Sequence, residues 1–168
     1  QNATYSVAWM DCLTSGKKLG RSLVMLGEHA KHKDLPEKKR SRPYDIKAKR
    51  KITMPFNAPS FVINRYSLRL FNALYYWNER RKARVSFIDW DSYFYPLDKI
   101  LRWNRIYGRN GFAQFQCVLP LNNSREGLTE ILEAIRKAGL GSFLTTLKRF
   151  GKQNSRFSFP MEGFTLTL

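Results

Sequence analysis

Phe112-Ala113-Gln114-Phe115-Gln116-Cys117-Val118-Leu119 alternates apolar and polar side chains, the period of a strand with two unlike faces. Phe115, Cys117 and Leu119 point one way, Gln114 and Gln116 the other. Asn123 follows as a candidate N-cap, with Glu126 three residues on in a capping-box-like pair. Leu128, Ile131, Leu132 and Ile135 then stripe a helix over 124–138, which Gly139 stops. Strands over 142–150 and 163–168 complete a strand–helix–strand–strand unit. That order predicts an α+β fold, an antiparallel sheet with helices packed on one face.

Working towards the N-terminus, Thr4 to Cys12 reads as a strand with Tyr5, Val7 and Trp9 on one face. A break at Thr14–Gly20 leads to a second strand, Arg21 to Leu26, and the two suggest an antiparallel pair. Residues 31–51 differ in kind: ten of the 21 are Lys or Arg, three are acidic, and Pro36 and Pro43 interrupt any helix. They read as a mobile, solvated basic loop; Pro55 and Pro59 close it, so that it reaches about residue 60. A helix over 61–79 carries Ile63, Tyr66, Leu70, Phe71, Leu74 and Trp77 as its core stripe. Arg80-Arg81-Lys82 and a strand from Arg84 to Trp90 follow. Pro96 opens a helix to Ile106, and Gly108 and Gly111 bracket a turn.

The 168 residues fit one domain, and 43% hydrophobic content suffices for a folded core. No apolar run approaches the roughly 18 residues of a membrane helix. The start, Gln1-Asn2-Ala3-Thr4-Tyr5, is strand-like and lacks an initiator Met, which suggests a fragment or a processed product. Cys12 and Cys117 are too few for a disulfide framework and read as small buried hydrophobes. A net charge of +17 marks a chain drawn to phosphate, whether in nucleic acid, lipid or a substrate.

Sites with familiar chemistry are scarce. His29 and His32 lack carboxylate or Cys partners at ligand spacing, so no metal is expected. Asp89 and Asp91 flank Trp90 on the expected strand and share a face, where they neutralise neighbouring cations rather than catalyse. Gly108-Arg109-Asn110-Gly111 is too short to cradle phosphate. The polar strand faces are more informative. Gln114 and Gln116, Lys148 beside Phe150, and Thr165 with Thr167 offer amides, an ammonium and hydroxyls from three neighbouring strands. Such groups bind sugar hydroxyls and phosphate oxygens without adding negative charge. An ordinary sheet with one wet face is the plain alternative.

Several segments, in order, resemble one family. They are Tyr5-Ser6-Val7-Ala8-Trp9 with Asp11, Gly20-Arg21-Ser22, Gly27-Glu28-His29-Ala30, and Arg69-Leu70-Phe71-Asn72-Ala73-Leu74-Tyr75. Tyr93-Phe94-Tyr95-Pro96-Leu97-Asp98, Gln114-Phe115-Gln116, Leu147-Lys148-Arg149-Phe150-Gly151 and Ser158-Phe159-Pro160-Met161-Glu162-Gly163 continue the series. Together they resemble the substrate domain of FAD-linked oxidases of the vanillyl-alcohol-oxidase type, especially bacterial decaprenylphosphoryl-ribose 2-oxidase-like proteins. The resemblance implies a ferredoxin-like substrate domain over residues 1–168 that closes over a flavin held by a separate FAD-binding domain. It implies hydride transfer from a sugar carbinol to flavin, the cofactor supplying the chemistry. Carried over residue by residue, Gln114, Gln116, Lys148 and Phe150 line the substrate pocket, with Tyr95 and Trp9. Thr167 stands where the best-known member has a cysteine. The family places its catalytic lysine in a later segment, so no catalytic residue is assigned here and the chain alone is expected to be inactive.

The leading expectation is therefore the substrate-binding portion of an FAD-dependent oxidoreductase acting on a sugar or lipid-linked sugar alcohol. The loop 31–51 would meet an anionic membrane surface, placing the protein in the cytoplasm or peripherally at the inner membrane. The alternative is a stand-alone basic module for nucleic acid or an anionic membrane; no nucleic-acid-binding fingerprint supports the former.

Overall fold

The computed structural model describes residues 3–45, 50–59, 61–82, 85–154, 156 and 161–168. The single domain expected from length divides into two compact units. The first comprises residues 1–27, 63–82 and 113–168, and the second residues 28–62 and 83–112.

The first unit is an α+β sandwich built on a five-stranded antiparallel sheet. Its strands are β1 (Tyr5–Met10), β2 (Ser22–Gly27), β5 (Gln116–Pro120), β6 (Thr146–Phe150) and β7 (Gly163–Thr167), in spatial order β2-β1-β6-β7-β5. β7 pairs antiparallel with both β5 and β6, so the helix α4 (Ser124–Lys137) connects two strands separated by a third. The stripe read from sequence is the one that packs: Leu128, Ile131, Leu132 and Ile135 meet Cys117, Leu147, Leu166 and Met10 in the core. Gly139, at φ +69°, takes the left-handed conformation that ends the helix. Asn123, however, makes no side-chain cap.

The second long helix, α2 (Arg65–Arg80), departs from expectation. Its start is well specified: Asn64 Oδ1 accepts from Tyr66 N at 2.8 Å and Ser67 N at 3.1 Å, and Ser67 Oγ accepts from Asn64 N at 3.0 Å. Its buried side, though, is Leu68 and Asn72. The expected core stripe is largely turned outward, with Tyr66, Leu70, Leu74 and Trp77 exposed. Periodicity shows that a helix has an apolar face but not whether that face finds a partner.

In the second unit, β3 (Ile52–Thr53) pairs parallel with β4 (Ile100–Leu101). The expected strand from Arg84 to Trp90 is absent among the described residues (Arg84 lies outside them). Residues 85–89 are irregular and lead into a short helix, α3 (Trp90–Phe94). Asp89 stands at its N-cap and Asp91 within it, so the carboxylates do not share a strand face. The expected helix from Pro96 breaks into two 3-10 turns, Pro96–Lys99 and Trp103–Tyr107. Between them β4 commits its backbone to β3, and Arg102 bends at φ 56°. Residues 31–45 hold a 3-10 turn and one helical turn, α1 (Glu37–Arg40), where Arg40 donates to the Leu35 and Lys33 carbonyls. Residues 46–49 of the basic loop lie outside the described residues.

Candidate substrate-binding face

Strand register assembles the site. Residues directly opposite in adjacent strands share a face. One row therefore runs Trp9–Thr146–Thr167–Gln116 across β1, β6, β7 and β5. The next runs Val7–Lys148–Thr165–Val118, and Phe150 follows opposite Gly163. The opposite faces of these strands carry Cys117, Leu147 and Leu166, which belong to the core. The polar set thus lies on the side away from α4. β5 and β6 are two strand spacings apart, about 10 Å, so Gln116 and Lys148 can bracket a ligand of sugar size.

Two of these polar groups are held in place. Gln116 Nε2 donates to Thr165 Oγ1 at 3.1 Å, diagonally across β5 and β7. Thr165 is buried, whereas Gln116 and Lys148 are exposed and Thr167 and Phe150 half-buried. Phe115 and Leu168 exchange backbone bonds of 3.1 and 2.9 Å, one step past β5, and exposed Gln114 stands just beyond. Thr146, in the same row as Gln116, went unnoticed in the sequence; counting back two residues from Lys148 would have found it.

The remaining two candidates are placed differently. Trp9 is buried, its indole N–H donating to the Phe143 carbonyl at 2.9 Å and its ring 4.8 Å from that of Tyr75. Tyr95 belongs to the second unit, following α3, with its ring edge-on to Trp90 at 6.1 Å.

Just past the end of β1, a buried polar network ties the unit together. Asp11 accepts from Arg21 Nη2 at 2.7 Å, Asn72 Nδ2 at 3.0 Å and Leu13 N at 3.1 Å. Asn72 Nδ2 also reaches the Ser142 carbonyl at 3.3 Å, and the Arg21 guanidinium lies 4.3 Å above the Tyr76 ring. Cys12 Sγ accepts from Ser142 N and Thr145 Oγ1, each at 3.3 Å.

Burial raises the Tyr75 phenol above its usual value of 10.0, and the neighbouring Glu79 carboxylate adds to the effect. The folded chain therefore keeps this proton at a pH where the unfolded chain has released it. Its stabilising contribution is complete below pH 10 and fades as pH rises through the elevated value. Tyr75→Phe is expected to flatten the alkaline limb of a urea-denaturation series taken between pH 8 and about pH 11. Burial also raises the Cys117 thiol, the Leu166 backbone hydrogen bond opposing this more weakly. Cys117 is consequently expected to react slowly with iodoacetamide at neutral pH, whereas a fast, stoichiometric reaction would contradict its place beside the core.

The turn at Gly108 and Gly111 opens no long helix N-terminus. A groove of about 290 Å³ lies in the second unit between Asn57–Pro59 and Tyr107–Asn110, just below the ~300–1,000 Å³ range of ligand pockets. Among the described residues no three His, Cys, Asp or Glu side chains gather as a metal site, and no helix is long and apolar enough to cross a membrane.

The chain is 33% identical to decaprenylphosphoryl-β-D-ribose oxidase of Mycolicibacterium smegmatis over 166 residues, 98% of its own length. The segment is homologous to one part of that oxidase. The match spans only 36% of the oxidase, so about two-thirds of the relative has no counterpart here. No family model matches the chain. The α+β fold, an antiparallel sheet with helices, agrees with the fold class read from the sequence.

Proposed function

We propose that this chain forms the substrate-binding part of an FAD-dependent oxidoreductase that oxidises a sugar or lipid-linked sugar alcohol. The observation that carries the reading is the Thr146–Thr167–Gln116 row with Lys148 beside it, set on the sheet face away from the core of a chain homologous to an oxidase. Gln116 and Thr167 bind hydroxyls, Lys148 meets a phosphate oxygen, and Gln114 and Phe150 complete the wall. Trp9, buried at the β1 end of the same row, anchors it through the Phe143 carbonyl. A flavin held by a separate FAD-binding domain would supply the hydride-accepting chemistry; the residues here orient the carbinol and exclude water. A ribose carried on a decaprenyl phosphate, the substrate in the relative's name, stays with a bilayer through its apolar chain. The basic stretch 31–51 then faces anionic headgroups, each cation contributing on the order of 1 kcal/mol.

The test is steady-state kinetics on the flavin-bearing polypeptide that includes this segment. Lys148→Met is expected to lower kcat/KM by about tenfold to hundredfold, the worth of a hydrogen bond between charged groups, and Gln116→Leu by about twofold to tenfold, that of a neutral one. Glu130→Gln, on the exposed side of α4, serves as control. Unchanged kinetics in both site variants would reject the assignment. Purified alone, the chain is expected to carry no stoichiometric flavin absorbance.

A further inference from the structure

α2 leaves four large apolar side chains uncovered in a line. Tyr66, Leu70, Leu74 and Trp77 recur at spacings of four, four and three and are 75, 62, 62 and 50% exposed. A contiguous apolar strip of this kind marks a contact surface rather than incidental exposure. Arginines frame it. Arg65 lies 5.9 Å above the Tyr66 ring at one end and Arg80 5.5 Å above the Trp77 ring at the other. Arg69 and Arg81 add charge along the way, and the one carboxylate on the helix, Glu79, is paired with Lys82.

Apolar down the middle, aromatic at both ends and cationic at the rim, this side of α2 has the composition of a helix that lies in a bilayer interface. We propose that the exposed stripe of α2 is a docking surface for an anionic lipid bilayer. The leucines enter the acyl boundary, Tyr66 and Trp77 sit at headgroup level, and the arginines meet lipid phosphates. Charge selects this occupant over a second copy. Two chains of net charge +17 would bring arginine rim against arginine rim, whereas an anionic leaflet is complementary. The inference rests on the lipid-linked reading of the substrate, because an enzyme that oxidises a membrane-held sugar must work at the surface. It differs from the electrostatic role of residues 31–51 in requiring apolar insertion.

The experiment sediments the chain with vesicles of phosphatidylcholine, alone or mixed with phosphatidylglycerol, and follows tryptophan emission. Binding is expected only with phosphatidylglycerol present, accompanied by a blue shift that Trp77→Phe removes. Leu70→Glu combined with Leu74→Glu is expected to weaken binding about tenfold or more. Val24→Glu with Leu26→Glu, replacing exposed apolar residues on β2, is expected to leave binding unchanged. Circular dichroism confirms that each variant keeps its fold. The proposal would be overturned by no binding to either vesicle, by equal binding with and without phosphatidylglycerol, by equal weakening in both double variants, or by a wild-type dimer that the α2 variant dissolves. Loss of association with a separately supplied flavin-bearing half, without vesicle binding, would identify that half as the occupant instead. Vesicle binding requires no sugar oxidation, so it can fail while the kinetic effects at Gln116 and Lys148 stand, and the reverse.

Discussion

Asp11→Ala is expected to lose about 3–5 kcal/mol of stability, the penalty for breaking a buried charged pair from one side. Asp11 is 2% exposed, and its carboxylate is met by the Arg21 guanidinium, the Asn72 amide and the Leu13 N–H. Removing it leaves the Arg21 charge without its carboxylate partner and the Asn72 amide with only the longer bond to Ser142. Three parts of the first unit meet at this carboxylate: the end of β1, the approach to β2, and α2. The loss should therefore appear as a lower denaturation midpoint with α2 loosened first. Urea unfolding followed by tryptophan fluorescence, with hydrogen exchange along residues 65–80, measures both. Since whole domains hold only about 5–15 kcal/mol, the variant should be marginal at best. Arg21→Met combined with Asp11→Leu should recover part of the loss, because an apolar pair leaves no buried charge. A cost below about 1 kcal/mol for Asp11→Ala would show the network to be solvated instead.

The second large effect is expected at Gly163. This residue begins β7 and pairs with Pro120 on one side and Phe150 on the other. A Cβ there would fall inside contact distance of the Leu119 carbonyl oxygen, a backbone atom that cannot rotate away. Gly163→Ala must push β7 off β5, at a cost of about 1–3 kcal/mol or more. The same shift separates Gln116 from Thr165 and so disturbs the polar row that the proposed function uses. Gly127→Ala provides the contrast. Its Cβ would meet Leu119 Cδ2, the end of a flexible side chain, at 3.1 Å, and alanine gains about 1 kcal/mol of helix propensity. Thermal unfolding should place Gly163→Ala well below the parent and Gly127→Ala close to it or above. Equal midpoints for the two variants would contradict the strand spacing described here.

The parts of the molecule legible in the sequence are those governed by local repetition. The period of two separates Gln116 from Cys117, although the strand expected over 112–119 begins only at Gln116, and the period near 3.6 at Leu128–Ile135 marks the face of α4 that packs. Where one period admits two outcomes, local reasoning stops. The helix at 65–80 carries an apolar stripe, yet it buries Leu68 and Asn72, because the Asp11 carboxylate needs a donor and Asn72 reaches it. Residues 85–89 are rich in strand-forming side chains, but no neighbouring strand pairs with them among the described residues. Pro96 opens a helical turn as expected, but pairing of Ile100–Leu101 with Ile52–Thr53 takes the backbone bonds that a longer helix would need.

By itself, then, the sequence determined the strand faces, the α4 core stripe, the helix stop at Gly139 and the homology to an oxidase, since each is written in adjacent residues or in their order. Only the tertiary structure decided that Thr146 and Gln116, thirty positions apart, share a row through Thr167, and that Asp11, Arg21 and Asn72 meet. Strand register and burial are set by partners distant along the chain, and no local period encodes which partner will arrive.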